Sequence, residues 1–184
     1  MRHNFQVCYN FMLELEGGYT LHHNRGEHTH TYAGIYRAAN PSWLGWEYID
    51  KGDAVPEYLV LDFYEENYWD KVNGDELPEG LDLLVFSLAV NAGVHQASKL
   101  LQRVLNAEED GIIGSRTVAK AQEYSLSLVG EQVVRDKWMD YTCETLKYYN
   151  KVVAKDKTKE MFLKGWINRA IKLDRRAMEI TIPF

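Results

Sequence analysis

Residues 81–94 read LDLLVFSLAVNAGV, a run that is apolar nearly all round and broken only by Asp82, Ser87 and Asn91. A helix with no wet face belongs in the middle of a protein. This is the longest apolar stretch of the chain, yet it falls short of the roughly 18–20 residues that a membrane span requires. It therefore reads as a buried core helix, and no stable membrane insertion is expected. Pro78, just ahead of it, suits the start of a helix.

On the C-terminal side, His95 to Leu105 continues as an amphipathic helix through Leu100, Leu101, Val104 and Leu105. Asn106 to Gly114 is turn chemistry, with Asp110-Gly111 its sharpest signal. Ser115 suits the cap of a further helix carrying Val118 and Ala121. Two long amphipathic segments, about Leu126 to Val153 and Lys159 to Ile180, complete the chain. On the N-terminal side, Pro56 opens a helix whose apolar side is Leu59, Phe63 and Trp69 and whose wet side is Glu57, Asp62, Glu65 and Glu66. The first segment, about His3 to Glu16, places Phe5, Cys8, Met12 and Leu15 at helical intervals. Gly17-Gly18 stops it. From Tyr19 to Pro56 the chain is polar, aromatic and aperiodic, too long for a bare connector, so a functional loop or small sheet is expected there. The fold class is mainly α, with any strands confined to residues 19–50.

The composition fits a globular body. Of 184 residues, 46% are hydrophobic and 26% charged, and the formal net charge is −6. The acidic balance removes the usual electrostatic reason to expect nucleic acid as a partner. Cys8 and Cys143 cannot by themselves make a disulfide framework or a zinc site. Each sits among apolar residues and is expected to behave as a small buried hydrophobe. The N-terminus lacks the continuous apolar segment and small-residue cleavage site of a secretory signal, so synthesis in the cytoplasm is expected.

Glu16 is the residue whose chemistry stands out. A carboxylate at a helix C-terminus faces the negative end of the macrodipole, which disfavours ionisation. Desolvation by Leu15 and Tyr19 pushes the same way. A carboxyl kept neutral is what protonating a leaving group requires. On physics alone the commoner reading of a glutamate before glycine is a solvated surface residue.

A wider pattern shifts that balance. The segment Leu13-Glu14-Leu15-Glu16-Gly17-Gly18-Tyr19 resembles the EGGY signature that opens the glycoside hydrolase 108 family, also described as secretion-activator proteins. Thr31-Tyr32-Ala33-Gly34-Ile35 is similar to its T-x-x-G-I element, and Tyr64 through Trp69-Asp70 to its Y-x-x-x-YWD segment. Residues 85–93 resemble its F-D-x-A-V-N-x-G helix, with Ser87 in place of the usual aspartate. Leu100-Leu101-Gln102 followed by the stretch from Asp110 to Thr117 is similar to the LLQ and D-G-x-x-G-x-x-T elements of a predicted peptidoglycan-binding region. Phe162 through Arg169 resembles the closing F-x-x-GW-x-NR motif.

The resemblance implies a lysozyme-like α fold and cleavage of the β-1,4 bond between N-acetylmuramic acid and N-acetylglucosamine in peptidoglycan, with Glu16 as general acid. It implies a catalytic lobe over residues 1–94 and a helical lobe over 95–184, packed into one body. Family members occur in bacteria and phages, and several act in lysis or in opening the wall for secretion. Action on the wall or in the periplasm is expected, with a glycan strand as partner and no cofactor.

The loop after EGGY departs from the family. Where the family runs V-N-D-P-x-D-P-G-G-x-T, residues 20–31 read TLHHNRGEHTHT and lack both aspartates. Phage-type lysozymes follow a Glu-x8-acid-x5-Thr rhythm. Thr31 fits it, but the acidic position falls on Arg25, with Glu27 displaced by two. We expect an inverting reaction in which Thr31, with Glu27 as the nearest acidic candidate, positions the water. Four histidines, His22, His23, His28 and His30, crowd this loop. Imidazole and carboxylate suit zinc, but the spacing follows no established zinc motif and fits a strand face equally well. A polar cleft wall without metal is expected.

Twelve tyrosines and five tryptophans outnumber six phenylalanines, so most aromatic side chains carry a polar edge beside a face that suits a pyranose ring. Tyr19, Tyr32, Gly34, Tyr36, Trp46 and Asn91 are the expected substrate-binding residues, with Trp43 beside them. Trp69, Trp138 and Trp166 sit on amphipathic helices and are expected in the core. The competing reading is a non-catalytic wall-binding or secretion-assisting module that keeps the fold without the chemistry.

Overall fold

The computed structural model describes residues 2–23, 29–126 and 131–181, with side chains described over 4–23, 29–124 and 138–181. Among them are eight α-helices: α1 Arg2–Leu15, α2 Gly45–Lys51, α3 Glu57–Tyr64, α4 Leu81–Ala92, α5 Val94–Val104, α6 Ser115–Leu126, α7 Glu131–Lys155 and α8 Glu160–Thr181. Three two-residue strands, β1 Leu21–His22, β2 Thr31–Tyr32 and β3 Ile35–Tyr36, form one antiparallel sheet in the order β1-β2-β3. The fold is mainly α and lysozyme-like, with its strands inside the 19–50 stretch. Among the described residues no helix is long and apolar enough to cross a membrane. Internal contacts group the chain into two compact units, Arg2–Asn67 and the residues from Tyr68 onward.

In the first unit, α1 buries Phe5, Cys8, Tyr9, Met12 and Leu13 and leaves Gln6, Asn10 and Glu14 exposed. That is the three-and-four spacing of a helix with one core face. Helix α2 is absent from the sequence expectation, because seven residues with only Gly45 and Trp46 buried make no readable period. Its end is nevertheless well made. Gly52, at φ +78°, closes it with bonds from Gly52 and Asp53 back to Ile49 and Tyr48.

In the second unit, every residue of α4 from Leu81 to Ala89 is buried, which is the central position its apolar run predicts. Helices α5, α7 and α8 pack around it. Polar ties fix their order: Arg169 of α8 donates to Ser87 of α4 at 3.2 Å, and the buried Tyr141 of α7 donates to the Ala97 carbonyl of α5 at 3.2 Å. Trp69 and Trp138 are core residues as expected, whereas Trp166 is half-buried and stacks between Tyr149 and the exposed Phe162. Cys8 is a buried free thiol, but Cys143 is exposed. The reason is helical phase: Tyr141, Thr142 and Thr145 take the inward positions of α7 and turn Cys143 to solvent.

The loop after α5 is tied by one side chain. Gln102, 1% exposed, donates to the Asp110 carboxylate at 2.6 Å and to the Ile112 carbonyl at 3.0 Å, while its own carbonyl accepts the Gly111 N–H at 2.8 Å. The Asp110 carboxylate also accepts the Ile112 N–H at 2.9 Å. The Gln102 amide and then the Ile112 N–H hold the Asp110 carboxyl below the usual aspartate range. The Gln102→Leu variant leaves the buried Gly111 N–H without an acceptor, so urea titration should show a loss of about 2–3 kcal/mol. A depressed folded pKa stabilises above the unfolded value of about 3.9 and stops doing so as pH falls through the folded value. The gap in Tm between wild type and Asp110→Asn should therefore be full at neutral pH and close below about pH 4.

Candidate active site

The last turn of α1 fixes Glu16 from behind. The Gly18 N–H bonds to the Leu13 carbonyl at 2.9 Å and the Gly17 N–H to the Glu14 carbonyl at 3.2 Å. This 6→1 and 5→2 pair is a Schellman motif, with Glu16 as C-cap and Gly17 as the left-handed residue at φ +86°. The Glu16 N–H is itself shared between the Met12 and Leu13 carbonyls at 3.0 and 3.2 Å. The backbone of this half-buried glutamate therefore has no freedom left to turn.

A chain of short bonds then carries the sheet to it. Thr20 donates its hydroxyl to the Gly17 carbonyl at 2.9 Å, and the Thr20 carbonyl accepts the Ala33 N–H at 3.3 Å. Ala33 and Gly34 form the two-residue turn between β2 and β3, with φ +47° and +79°. Positive φ at both positions defines a type I′ turn, whose twist matches that of the flanking strands. Alanine pays about 1–2 kcal/mol to sit there. The buried Tyr64 hydroxyl, donating to the Ala33 carbonyl at 2.7 Å, helps to hold it in place.

Gly34 meets the glutamate. A Cβ built on Gly34 lies 3.1 Å from both Cγ and Oε2 of Glu16 and overlaps the Tyr64 hydroxyl. The Glu16 carboxylate thus lies directly against the tip of the hairpin, and only glycine leaves it room. The T-x-x-G-I and EGGY segments meet at this point. Tyr64, the first residue of the YWD-type segment, is the support that residue-level reading passed over. Its place in that segment was the available signal.

The remaining residues divide by position. Thr31 is 3% exposed in the middle strand, where it pairs with His22 and Tyr36. Tyr32 and Tyr36 are half-buried on the same hairpin. Tyr19 is 39% exposed and donates its hydroxyl to Glu57 at 2.6 Å, so the Tyr9 hydroxyl, 2.9 Å away, is the donor to Tyr19. Burial and then the bond to the Glu57 carboxylate push the Tyr19 phenol far above its ordinary pKa. Trp46 is 2% exposed: its Nε1 donates to the Asn40 carbonyl at 2.7 Å and the Arg37 guanidinium lies 5.2 Å from its ring. It belongs to the core that supports Trp43, whose ring meets it edge-on at 5.1 Å. Asn91 lies in the second unit, exposed on α4, where it donates to the Tyr149 hydroxyl at 2.9 Å. Glu27, with Arg25 and His28, lies outside the described residues. The rings of His23 and His30 are 4.1 Å apart, and no group of three metal-ligating side chains occurs among the described residues.

Residues 9–93 match the family described as glycosyl hydrolase 108, and residues 96–171 match the one described as predicted peptidoglycan domain. Among solved structures the chain is similar to SagA of Brucella abortus, with 25% identity and a TM-score of 0.72, covering 98% of this chain and 97% of that one. None of the curated proteins matches the chain at a significant level. Glu16 and the hairpin that holds it fall inside the first match, and the Gln102–Asp110 tie inside the second. The chain carries a glycosyl hydrolase 108 domain over residues 9–93, followed by a predicted peptidoglycan domain over residues 96–171.

Proposed function

We propose that this glycoside hydrolase is an N-acetylmuramidase, cleaving the β-1,4 bond between N-acetylmuramic acid and N-acetylglucosamine, with Glu16 as general acid. The observation that carries the reading is the placement of one carboxylate. Glu16 is held as the C-cap of α1 against the tip of a hairpin, the arrangement needed to present a proton at a fixed point. The predicted peptidoglycan domain makes peptidoglycan the natural substrate. The chain then acts on the cell wall or in the periplasm.

In this reading Tyr19 offers ring surface, and Tyr32 and Tyr36 ring surface with polar edges, to the glycan around Glu16. Thr31 positions the water for inversion, and Glu27 is the further acidic candidate. The non-catalytic alternative predicts the same fold and wall binding without bond cleavage, so chemistry separates the two.

Glu16→Gln keeps shape and removes the proton. It should lower release of reducing ends from purified peptidoglycan by about 10²–10⁴-fold, with Tm unchanged. Reducing-end release equal to wild type would end the muramidase reading, and anhydro-muramic ends by mass spectrometry would replace it with a lytic transglycosylase. Gly34→Ala puts a methyl group against both Tyr64 and Glu16 at a positive φ. It should cost roughly 2–4 kcal/mol in chemical denaturation and abolish turnover in the folded fraction. Thr31→Val keeps volume and loses the hydroxyl, so kcat should fall while the circular dichroism spectrum stays the same. A normal kcat would assign the water to another group.

A further inference from the structure

A concavity lies in the first unit, between the loop after β3 and the face of α3. It has a volume of about 430 Å³ and is open to solvent, within the size range of small-ligand pockets. Asn40, Trp43, Leu59, Asp62, Phe63 and Glu66 are among its lining residues. The aromatic wall is built, not incidental. Trp43 is fixed by an Nε1 bond to the Leu59 carbonyl at 3.0 Å and meets Phe63 edge-on at 6.3 Å. It also stacks on Tyr32 at 6.1 Å, and Tyr32 precedes the Ala33-Gly34 turn whose tip meets Glu16. The groove is therefore joined to the candidate active site by one continuous aromatic contact.

Its charge is one-sided. Asp62 and Glu66 both line the groove and are exposed, no lysine or arginine lines it, and neither carboxylate has an ion pair or hydrogen bond among the described residues. Two like charges close together on one stretch of helix cost stability instead of supplying it. A neutral sugar gains little from such a pair and a carboxylate-bearing ligand is repelled. An ammonium group gains from both carboxylates and from the Trp43 and Phe63 rings that line the groove.

We infer that this groove takes an ammonium-bearing peptide branch of the wall polymer, the free side-chain amine of a diamino acid in an uncross-linked stem. This rests on the reading of peptidoglycan as the substrate and adds to it a preference for strands that carry such stems.

The test reads binding rather than turnover. A soluble disaccharide–peptide with a free side-chain amine, and the same compound with that amine acetylated, are titrated into the wild-type chain by calorimetry. The free amine should bind about fivefold more tightly than the acetylated form, the size of an exposed ion pair plus a cation–π contact. The ratio should fall to about one in the Asp62→Asn/Glu66→Gln double variant and on raising the salt to about 0.5 M. It should persist in Glu123→Gln, a charge control on exposed α6. Thermal melting of each variant establishes that it is folded. Equal affinity for the two forms, a ratio that survives the double variant, or no binding of either form overturns the proposal. Failure of the muramidase reading is seen separately, as wild-type protein that releases no reducing ends from walls.

Discussion

The closure of α1 by Gly17 and Gly18 is the constraint on which the first unit turns. Two backbone bonds end the helix and make Glu16 its last fixed residue. The same glycines free the chain to reverse, so that Thr20 can reach back to the Gly17 carbonyl and forward to Ala33. Without that reversal the hairpin would have no tie to the helix end. The carboxylate would be one more solvated side chain. With it, the hairpin tip presses against the glutamate, and Tyr64 of α3 holds the tip through the Ala33 carbonyl. Three elements distant in sequence are thus committed to one atom group, in keeping with the view that strained backbone collects where function requires over-determination.

The second unit is organised differently. Its stability lies in α4, which is buried from Leu81 to Ala89 and sheathed by α5, α7 and α8. The polar side chains that interrupt its apolar character all have uses. Ser87 accepts from Arg169, Asn91 donates to Tyr149, and the Asp82 carboxylate accepts the Leu83 N–H at its own helix start. Arg169 closes the last recognisable motif of the sequence, and Ser87 stands at the second position of the fourth, where an aspartate is usual. The bond brings together two motifs that lie 82 residues apart in the chain.

Much of this was legible in the sequence because it depends on periodicity and on punctuation by glycine. The helices at 2–15, 57–64, 81–104 and beyond follow from spacing, and the stop after Glu16 follows from two glycines. The location of strands within 19–50 followed from the loss of period. What could not be read has a physical reason in each case. Strands of two residues carry no alternation to detect, and α2 has a single buried turn. The burial of Trp46 depends on Arg37 and Asn40 folding over it, and Cys143 is exposed by a phase that one residue more or less would reverse. The role of Tyr64 is a tertiary contact to a carbonyl thirty-one residues away, invisible to any local pattern.

The Tyr9–Tyr19–Glu57 relay has a consequence for the proton inventory near Glu16. Because the Tyr19 phenol spends its single hydrogen on Glu57 and receives one from Tyr9, it has neither a proton to lend nor an oxygen eager to take one. In the proposed reading the ring is what Tyr19 offers a sugar, and burial with the Glu57 bond keeps its hydroxyl protonated through mild alkali. Any proton transferred in the proposed turnover then comes from a group other than this phenol.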